Sequence, residues 1–150
     1  MRNEVLSILK NIPKIISSSL MKLLMDMGHG DVIIIADANF PGVALCKRVV
    51  NLNGVETTEL LEAVLRFFPL DDFVEHPVVL MRPGPSEKKP EIWDKYEAAV
   101  RENDVIGAFR EFLLLDRVDY YEFAKKSFAV VQTGTVARYA NIALQKGVVD

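Results

Sequence analysis

The fold is decided by residues 28–39, which read Gly-His-Gly-Asp-Val-Ile-Ile-Ile-Ala-Asp-Ala-Asn. Residues 32–36 are apolar without interruption and predict a short strand buried on both faces, typical of the centre of a parallel sheet. Residues 28–31 predict a turn before this strand, and residues 37–39 predict a turn after it. Because open α/β sheets bind ligands just beyond the carboxyl ends of their strands, the second turn is a candidate binding site.

Helical and extended patterns alternate along the rest of the chain. Predicted helices cover residues 18–27, a segment from Thr57 or Thr58 to Pro69, a segment from Pro90, and a segment from an Asp119–Glu122 capping box to about residue 127. Predicted strands cover residues 77–81, 128–131 and 138–144. Residues 104–116 predict a helix and then a short strand, whereas the proline-rich residues 82–90 predict a surface loop. The expected fold class is therefore α/β: a single domain over residues 1–150, layered α/β/α, with a mostly parallel central sheet.

Composition excludes several classes of function. The chain has 150 residues, half of them apolar, and 18 basic against 21 acidic side chains, so it has no electrostatic footprint for nucleic acid or an anionic membrane. Cys46 is the only cysteine, which rules out an intramolecular disulfide and a multi-cysteine zinc site. Charged residues interrupt the apolar ones in residues 1–16, so we expect no signal peptide or membrane span and a cytoplasmic protein.

His29 lies between two glycines, where no bulky neighbour shields its imidazole. This favours a histidine presented on a loop for proton transfer near neutral pH. A helix C-terminal cap with an incidental histidine is the structural alternative, and residue types alone leave both open.

Two further groups of polar residues are candidates for ligand binding. Asp37 and Asn39 offer oxygens that can bind vicinal hydroxyls of a sugar or polyol, or they form an ordinary Asx-turn. On the predicted strand 138–144, alternation places Tyr139 and Asn141 on one face, either as a binding pair or as a tyrosine packed at a sheet edge.

Weaker signals come from two other places. Asp71, Asp72, Glu75 and His76 include metal-ligating residue types, but a solvated loop is the favoured interpretation and no metal site is predicted. Arg117 and Asp119 precede a predicted helix, where capping and a surface ion pair explain them.

Taken together, these motifs resemble the L-fucose mutarotase and D-ribose pyranase family. The resemblance rests on Ile12-Pro13-Lys14, Met27-Gly28-His29-Gly30-Asp31, Ala36-Asp37-Ala38-Asn39-Phe40-Pro41, Arg117, Tyr121-Glu122, Thr133-Gly134 and Tyr139-Ala140-Asn141. It spans nearly the whole chain, is weak between residues 82 and 116, and is closer to the fucose branch near the C-terminus. Departures from the family pattern are Phe123 for an arginine, Thr135 for a glutamate and Ala140 for a glycine.

The resemblance implies an enzyme that interconverts anomers of a reducing monosaccharide without a cofactor. It implies proton transfer by His29, sugar binding by Asp37, and a pocket that also contains Arg117, Tyr139 and Asn141. Tyr139 is expected either to transfer the second proton or to form a stacking wall. The preferred sugar is left open between L-fucose, D-ribose and a related aldose, and a non-catalytic sugar-binding or regulatory protein is the alternative from another class.

The spacing of His29 and Asp37 also predicts how the protein assembles. The two residues flank one strand, and eight extended residues span up to about 25 Å, which is too far for both side chains to touch one pyranose. We therefore expect a site shared between subunits of a homo-oligomer, with His29 from one chain and Asp37, Tyr139 and Asn141 from its neighbour. The family resemblance implies a ring-shaped oligomer such as a decamer.

Overall fold

The computed structural model describes residues 8–150, and it consists of five helices and six strands within that range. The helices are α1 (Ser18–Asp26), α2 (Gly42–Leu45), α3 (Thr57–Leu65), α4 (Ile92–Asn103) and α5 (Arg117–Lys125). The strands are β1 (Val32–Ala36), β2 (Val49–Leu52), β3 (Val78–Met81), β4 (Leu113–Leu115), β5 (Ala129–Thr133) and β6 (Ile142–Gln145). No helix between residues 8 and 150 is long and apolar enough to cross a membrane. Part of the N-terminal segment in which we expected no signal peptide, residues 1–7, lies outside the described residues.

All six strands form one mixed sheet in the order β2-β5-β1-β6-β3-β4. The pairs β1–β5, β2–β5 and β3–β4 are parallel, whereas β6 is antiparallel to both β1 and β3. Five strands therefore run in one direction and β6 runs against them. As a result, the start of β6 lies at the edge of the sheet where β1, β3 and β4 end.

Strand β1 supplies buried side chains to both faces of the sheet. Ile33 and Ile35 join the apolar cluster under α1, α3 and α4, while Ile34 and Ala36 join the cluster under α2 and α5. An uninterrupted apolar strand is what a sheet covered on both faces requires. The expected α/β fold class, with its layered and mostly parallel sheet, is confirmed.

The prediction of a helix within residues 104–116 is wrong. Residues 104–112 form a loop in which the Asp104 carboxylate accepts hydrogen bonds from the backbone N–H groups of Ala108 at 3.0 Å and Phe109 at 2.8 Å. Gly107 has φ 72°, in the left-handed region, which ends a helical path. The short strand predicted after this segment is present as β4.

The predicted capping box at Asp119 is also wrong, because the N-cap residue of α5 lies three residues earlier. Asp116 is the N-cap residue, and Asp119 lies in the first helical turn. The Asp116 side chain makes no capping hydrogen bond and instead pairs with Arg82 at 2.8 Å. An acidic residue in the first turn still favours the helix, since it interacts with the helix dipole.

Candidate active site

A cavity of about 310 Å³ opens at the carboxyl edge of the sheet. It is lined by Asp37, Asn39, Phe40, Met81, Arg117, Tyr121, Arg138, Tyr139 and Asn141. Asp37 follows β1, Met81 ends β3 and Arg117 follows β4, while Tyr139 and Asn141 precede the reversed strand β6. The structure thus brings together four of the five residues expected in the site, namely Asp37, Arg117, Tyr139 and Asn141.

Asp37 is the buried anchor of this cavity, with 5% of its surface exposed. Its Oδ1 accepts the Asn39 N–H at 2.9 Å, and its own N–H donates to Asn141 Oδ1 at 2.8 Å. The Asx-turn and the cavity position therefore coexist, because one carboxylate oxygen forms the turn while the residue lines the cavity. Burial raises the pKa of Asp37, although backbone N–H groups of Asn39 and Ala140 oppose that rise.

Tyr139 and Asn141 do not lie on a strand, contrary to the prediction for residues 138–144, because β6 begins only at Ile142. Alternation along a strand is thus not what places them in one cavity. Tyr139 has φ 55°, which is uncommon for a residue other than glycine and turns the chain immediately before β6.

Helix α4 holds this turn in place through two side chains. The Trp93 indole Nε1–H donates to the Tyr139 carbonyl oxygen at 2.8 Å. The Tyr96 hydroxyl donates to the Ala140 carbonyl oxygen at 2.6 Å and lies 2.7 Å from the Thr57 hydroxyl. Neither contact was predicted from the sequence, because both join residues more than forty positions apart in the chain.

Tyr121 is a further cavity residue that the sequence analysis did not single out. Its hydroxyl accepts a hydrogen bond from Arg117 Nε at 3.3 Å, and its ring packs edge-on against Phe40 with centroids 5.8 Å apart. Arg117 and Tyr121 are four residues apart on α5 and therefore share a helix face. That spacing is the signal by which Tyr121 could have been found.

His29 lies at the opposite edge of the sheet, before β1. Its Nε2 is 3.0 Å from Asp71 Oδ1, and its ring contacts Phe73 edge-on with centroids 4.7 Å apart. The His29 side chain is 40% exposed, so it is presented to its surroundings as the two flanking glycines predict.

Asp71 is not a solvated loop residue, contrary to the sequence-based interpretation, because it is 1% exposed. Besides His29, its carboxylate accepts the Phe73 N–H and a Gln145 Nε2–H, each at 3.0 Å. Burial raises the pKa of Asp71, but the hydrogen bonds from Phe73, His29 and Gln145 outweigh burial and lower it overall. Asp72 and Glu75 are exposed, and the described part of the chain has no cluster of three or more metal-ligating groups.

One chain does not bring His29 into the cavity that contains Asp37. The strand β1 separates them, and His29 is not among the lining residues. The chain therefore has two separate candidate half-sites: a carboxyl-edge cavity lined by polar groups, and an exposed imidazole backed by a buried carboxylate.

A polar, aromatic-walled cavity beyond the strand ends is typical of α/β proteins that bind small molecules. The chain belongs to the RbsD / FucU transport protein family, whose model matches residues 10–149. This confirms the family expected from the sequence motifs.

The chain is similar to the following proteins in sequence or structure. The chain is 44% identical over 149 residues to a fucose mutarotase of Mus musculus, covering 95% of each protein. It matches the crystal structure of the fucose mutarotase from Streptococcus pneumoniae in complex with L-fucose with a TM-score of 0.89 and 40% identity, covering 95% of this chain and 100% of that one. The structure of Bacillus subtilis RbsD complexed with D-ribose is less similar, with a TM-score of 0.69 and 26% identity over 89% of this chain and 95% of that one.

Proposed function

We propose that the protein is an isomerase that interconverts the α and β anomers of L-fucose. The observation that carries this proposal is the convergence of Asp37, Arg117, Tyr139 and Asn141 on one cavity, in a chain 40% identical to a fucose mutarotase whose structure contains L-fucose. These groups include a carboxylate, a guanidinium, a phenol and an amide, which between them donate to and accept from sugar hydroxyls.

The reaction transfers protons only. A base removes the proton of the anomeric hydroxyl while an acid protonates the ring oxygen, so the bond between the anomeric carbon and the ring oxygen breaks and an aldehyde forms. Rotation about the bond from the anomeric carbon to C2 exposes the other carbonyl face, and reversal of both proton transfers closes the ring on that face. The reaction therefore needs only one acid and one base. Each must have a pKa near neutral pH or be paired with a group that has one.

His29 is the proposed proton carrier of this reaction. The lowered pKa of Asp71 keeps its carboxylate ionised, so it accepts a hydrogen bond from His29 Nε2–H. This selects the tautomer in which Nδ1 is free to take and return a proton. Asp71 thereby orients the imidazole without touching the sugar.

Substrate binding falls to the residues of the carboxyl-edge cavity. The Asp37 carboxylate, the Asn141 amide and the Arg117 guanidinium hold the hydroxyls and fix the orientation of the ring. The second proton carrier is one of the two phenols of the cavity, Tyr139 or Tyr121.

A complete site then requires two subunits, with His29 from one chain facing the cavity of its neighbour. Apolar residues exposed near His29 support such an interface: Phe73, which packs on His29, is 77% exposed. Val105 and Ile106 are 95% and 60% exposed and line a cavity of about 580 Å³ that also includes Phe73. A second copy of the chain on this edge covers these residues, and the family resemblance favours a ring-shaped oligomer such as a decamer.

Other readings of the site have less support. D-ribose is the second candidate substrate, because the RbsD structure complexed with D-ribose has the same fold at lower similarity. A non-catalytic sugar-binding role was suggested by Phe123 and Thr135, but neither residue lines the cavity. The Thr135 hydroxyl is buried and accepts the Thr57 N–H at 2.8 Å, which makes it a cap for α3.

We further propose that the enzyme acts in the cytoplasm, where its single cysteine stays reduced.

Anomer exchange measured by saturation-transfer NMR tests the proposed function. Wild-type protein accelerates exchange of L-fucose more than exchange of D-ribose, and His29→Ala slows it by about 100-fold or more, the typical contribution of a general acid–base group. His76→Ala is the matched control, since His76 lies outside both half-sites and its exchange rate stays at the wild-type value. The assignment is rejected if the protein accelerates exchange of no tested aldose. It is also rejected if His29→Ala leaves the exchange rate unchanged.

A further inference from the structure

Glu87 is a carboxylate in the loop 82–90 that the proposed reaction does not use. Its N–H donates to the Gly84 carbonyl oxygen at 2.9 Å, and the Gly84 N–H donates back to Glu87 Oε1 at 3.1 Å. The loop therefore closes into a turn that holds the carboxylate at a defined place. A Cβ at position 84 would lie 2.8 Å from Glu87 Oε1, so the glycine leaves room for this contact.

This carboxylate reaches the wall of the cavity. Tyr139 donates its hydroxyl hydrogen to Glu87 Oε1, and Arg138 Nη1 lies 3.6 Å from Glu87 Oε2. Trp93 holds the backbone of Tyr139 from the other side. The tyrosine is thus fixed at its carbonyl oxygen by α4 and at its hydroxyl by the loop.

We propose that Glu87 is a positioning residue that orients the Tyr139 hydroxyl, so that the phenol oxygen accepts a hydrogen bond from a sugar hydroxyl instead of supplying a proton to the ring. The inference rests on the proposed mutarotase function and deepens it. It assigns Tyr139 to substrate binding and leaves the second proton transfer to another group of the cavity.

The chemistry of a phenol supports this assignment. A phenol has one proton, and a proton donated to a carboxylate is not available to the ring oxygen of the sugar. The hydrogen bond from Tyr139 lowers the pKa of Glu87, which is therefore ionised and accepts at neutral pH. The same hydrogen bond raises the pKa of Tyr139, which keeps the phenol protonated.

Steady-state exchange kinetics on L-fucose test the inference with Glu87→Ala, Glu87→Gln, Tyr139→Phe and the double variant Glu87→Ala/Tyr139→Phe. Loss of one oriented hydrogen bond to substrate raises KM by about 3- to 10-fold in Glu87→Ala and in Tyr139→Phe, while kcat changes by less than about twofold. The KM of the double variant is no higher than the higher of the two single-variant KM values, because Glu87 acts through Tyr139. Glu87→Gln stays within about twofold of wild type, since the amide oxygen still accepts the phenol hydrogen.

Two further measurements separate positioning from a general effect of the loop. Glu91→Ala removes a nearby carboxylate that has no side-chain hydrogen bond in the described part of the chain, and its KM equals that of wild type. The titration of Tyr139, followed by NMR of ring-labelled tyrosine and assigned with Tyr139→Phe, moves to lower pH in Glu87→Ala. Glu87 and Arg138 are the charged groups that face this hydroxyl, so Arg138→Gln is titrated beside it and moves the midpoint in the opposite direction.

Several results overturn the inference. A fall of kcat in Tyr139→Phe with KM unchanged identifies Tyr139 as a proton carrier, and additive losses in the double variant show that Glu87 acts independently of it. Wild-type kinetics in Glu87→Ala reject the inference alone and leave the mutarotase function standing. A wild-type protein that neither binds nor exchanges L-fucose rejects the proposed function and with it the inference.

Discussion

Asp37 shows how a single residue proposed to bind sugar affects stability. A carboxyl group whose pKa is raised by folding binds its proton more tightly in the folded state, so the ionised form lowers stability above the folded-state pKa. Below the unfolded value of about 3.9, both states are protonated and this penalty is absent. The fold therefore keeps an unfavourable charge at the cavity, which agrees with the proposed role of Asp37 in binding rather than in stability.

We expect Asp37→Asn to raise the melting temperature at pH 7 while it weakens binding of L-fucose. The amide oxygen retains the hydrogen bond from Asn39, so the substitution removes mainly the buried charge. A gain of about 1 kcal/mol corresponds to about 2–4 °C in a chain of this size. Binding falls by about 10- to 100-fold, as expected for loss of a charged hydrogen-bond acceptor. Calorimetry at pH 7 and pH 3 is the check, and a stability gain that persists undiminished at pH 3 contradicts the linkage argument.

Asp71 behaves in the opposite way, because its pKa is lowered by folding. Its ionised form stabilises the protein at pH values above the unfolded value of about 3.9, and this stabilisation is lost as the pH falls through the folded-state pKa. We expect Asp71→Asn to cost about 1–3 kcal/mol at pH 7, since it disturbs a buried carboxylate that accepts three hydrogen bonds. The difference from wild type shrinks toward pH 3.

The same substitution also slows anomer exchange by at least about tenfold, because His29 loses the partner that sets its tautomer. Asp72→Asn is the control, since that side chain is exposed beside it. Equal exchange rates for Asp71→Asn and Asp72→Asn contradict the orienting role.

At the scale of elements, α4 and α5 each bury a tyrosine completely, and the two differ in one respect. The Tyr96 hydroxyl donates to the Ala140 carbonyl oxygen at 2.6 Å, whereas the Tyr120 hydroxyl has no partner among the described residues. Removing a satisfied hydroxyl leaves its acceptor unpaired, which costs about 1–3 kcal/mol. Removing an unpaired hydroxyl instead relieves the free-energy cost of burying a polar group without a hydrogen-bond partner.

We therefore expect Tyr96→Phe to lower stability by about 1–3 kcal/mol and to raise the KM for L-fucose, because it loosens the turn that positions Tyr139 and Asn141. Tyr120→Phe is the matched substitution at an equally buried site, and it leaves stability unchanged or slightly higher. Urea unfolding of both variants measures the difference. A larger loss in Tyr120→Phe contradicts the argument and points to a bound water at that hydroxyl.

Helices and strands with a strong local signal were predictable. The Leu20 N–H donates to the Ser17 hydroxyl oxygen at 3.1 Å, which is the cap expected of a serine just before the helix predicted from residue 18, and β1 follows from its apolar residues alone. The short elements α2 and β2 were missed, since four residues are too few for a periodic pattern. Residues 104–112 have helical apolar spacing, but they do not form one buried helix face, because Val105 is 95% exposed whereas Phe109 is buried.

The candidate site divides in the same way. Asp37 and His29 were predictable because turn chemistry beside a buried strand marks them. Tyr139 and Asn141 line one cavity with Asp37 but were wrongly placed on a strand, since a left-handed tyrosine has no sequence signal. The buried Asp71 and the loop residue Glu87 were not predictable, because their contacts with His29 and Tyr139 bridge 42 and 52 residues of chain.

At the scale of the whole molecule, the reversed strand β6 determines which candidate site residues one chain can bring together. Its beginning carries Tyr139 and Asn141 to the carboxyl edge, while its last residue, Gln145, contacts Asp71 beside His29 at the other edge. Both half-sites are therefore tied to the same strand and are held apart by its length. No rearrangement that preserves the sheet brings His29 to its own chain's Asp37.

Subunit complementation tests the shared site that follows from this separation. At L-fucose concentrations below KM, His29→Ala and Asp37→Asn each slow exchange by about tenfold or more, yet oligomers reassembled at random from equal amounts contain both intact residues at about one quarter of the shared sites. We expect exchange of L-fucose to recover to about that fraction of the wild-type rate. A second measurement mixes wild type with equal amounts of the double variant His29→Ala/Asp37→Asn. A shared site then gives about one quarter of the wild-type exchange rate, whereas a complete site in each chain gives about one half. Native mass spectrometry confirms that mixed oligomers have formed, and mixed oligomers without recovered exchange would place the whole site within one subunit.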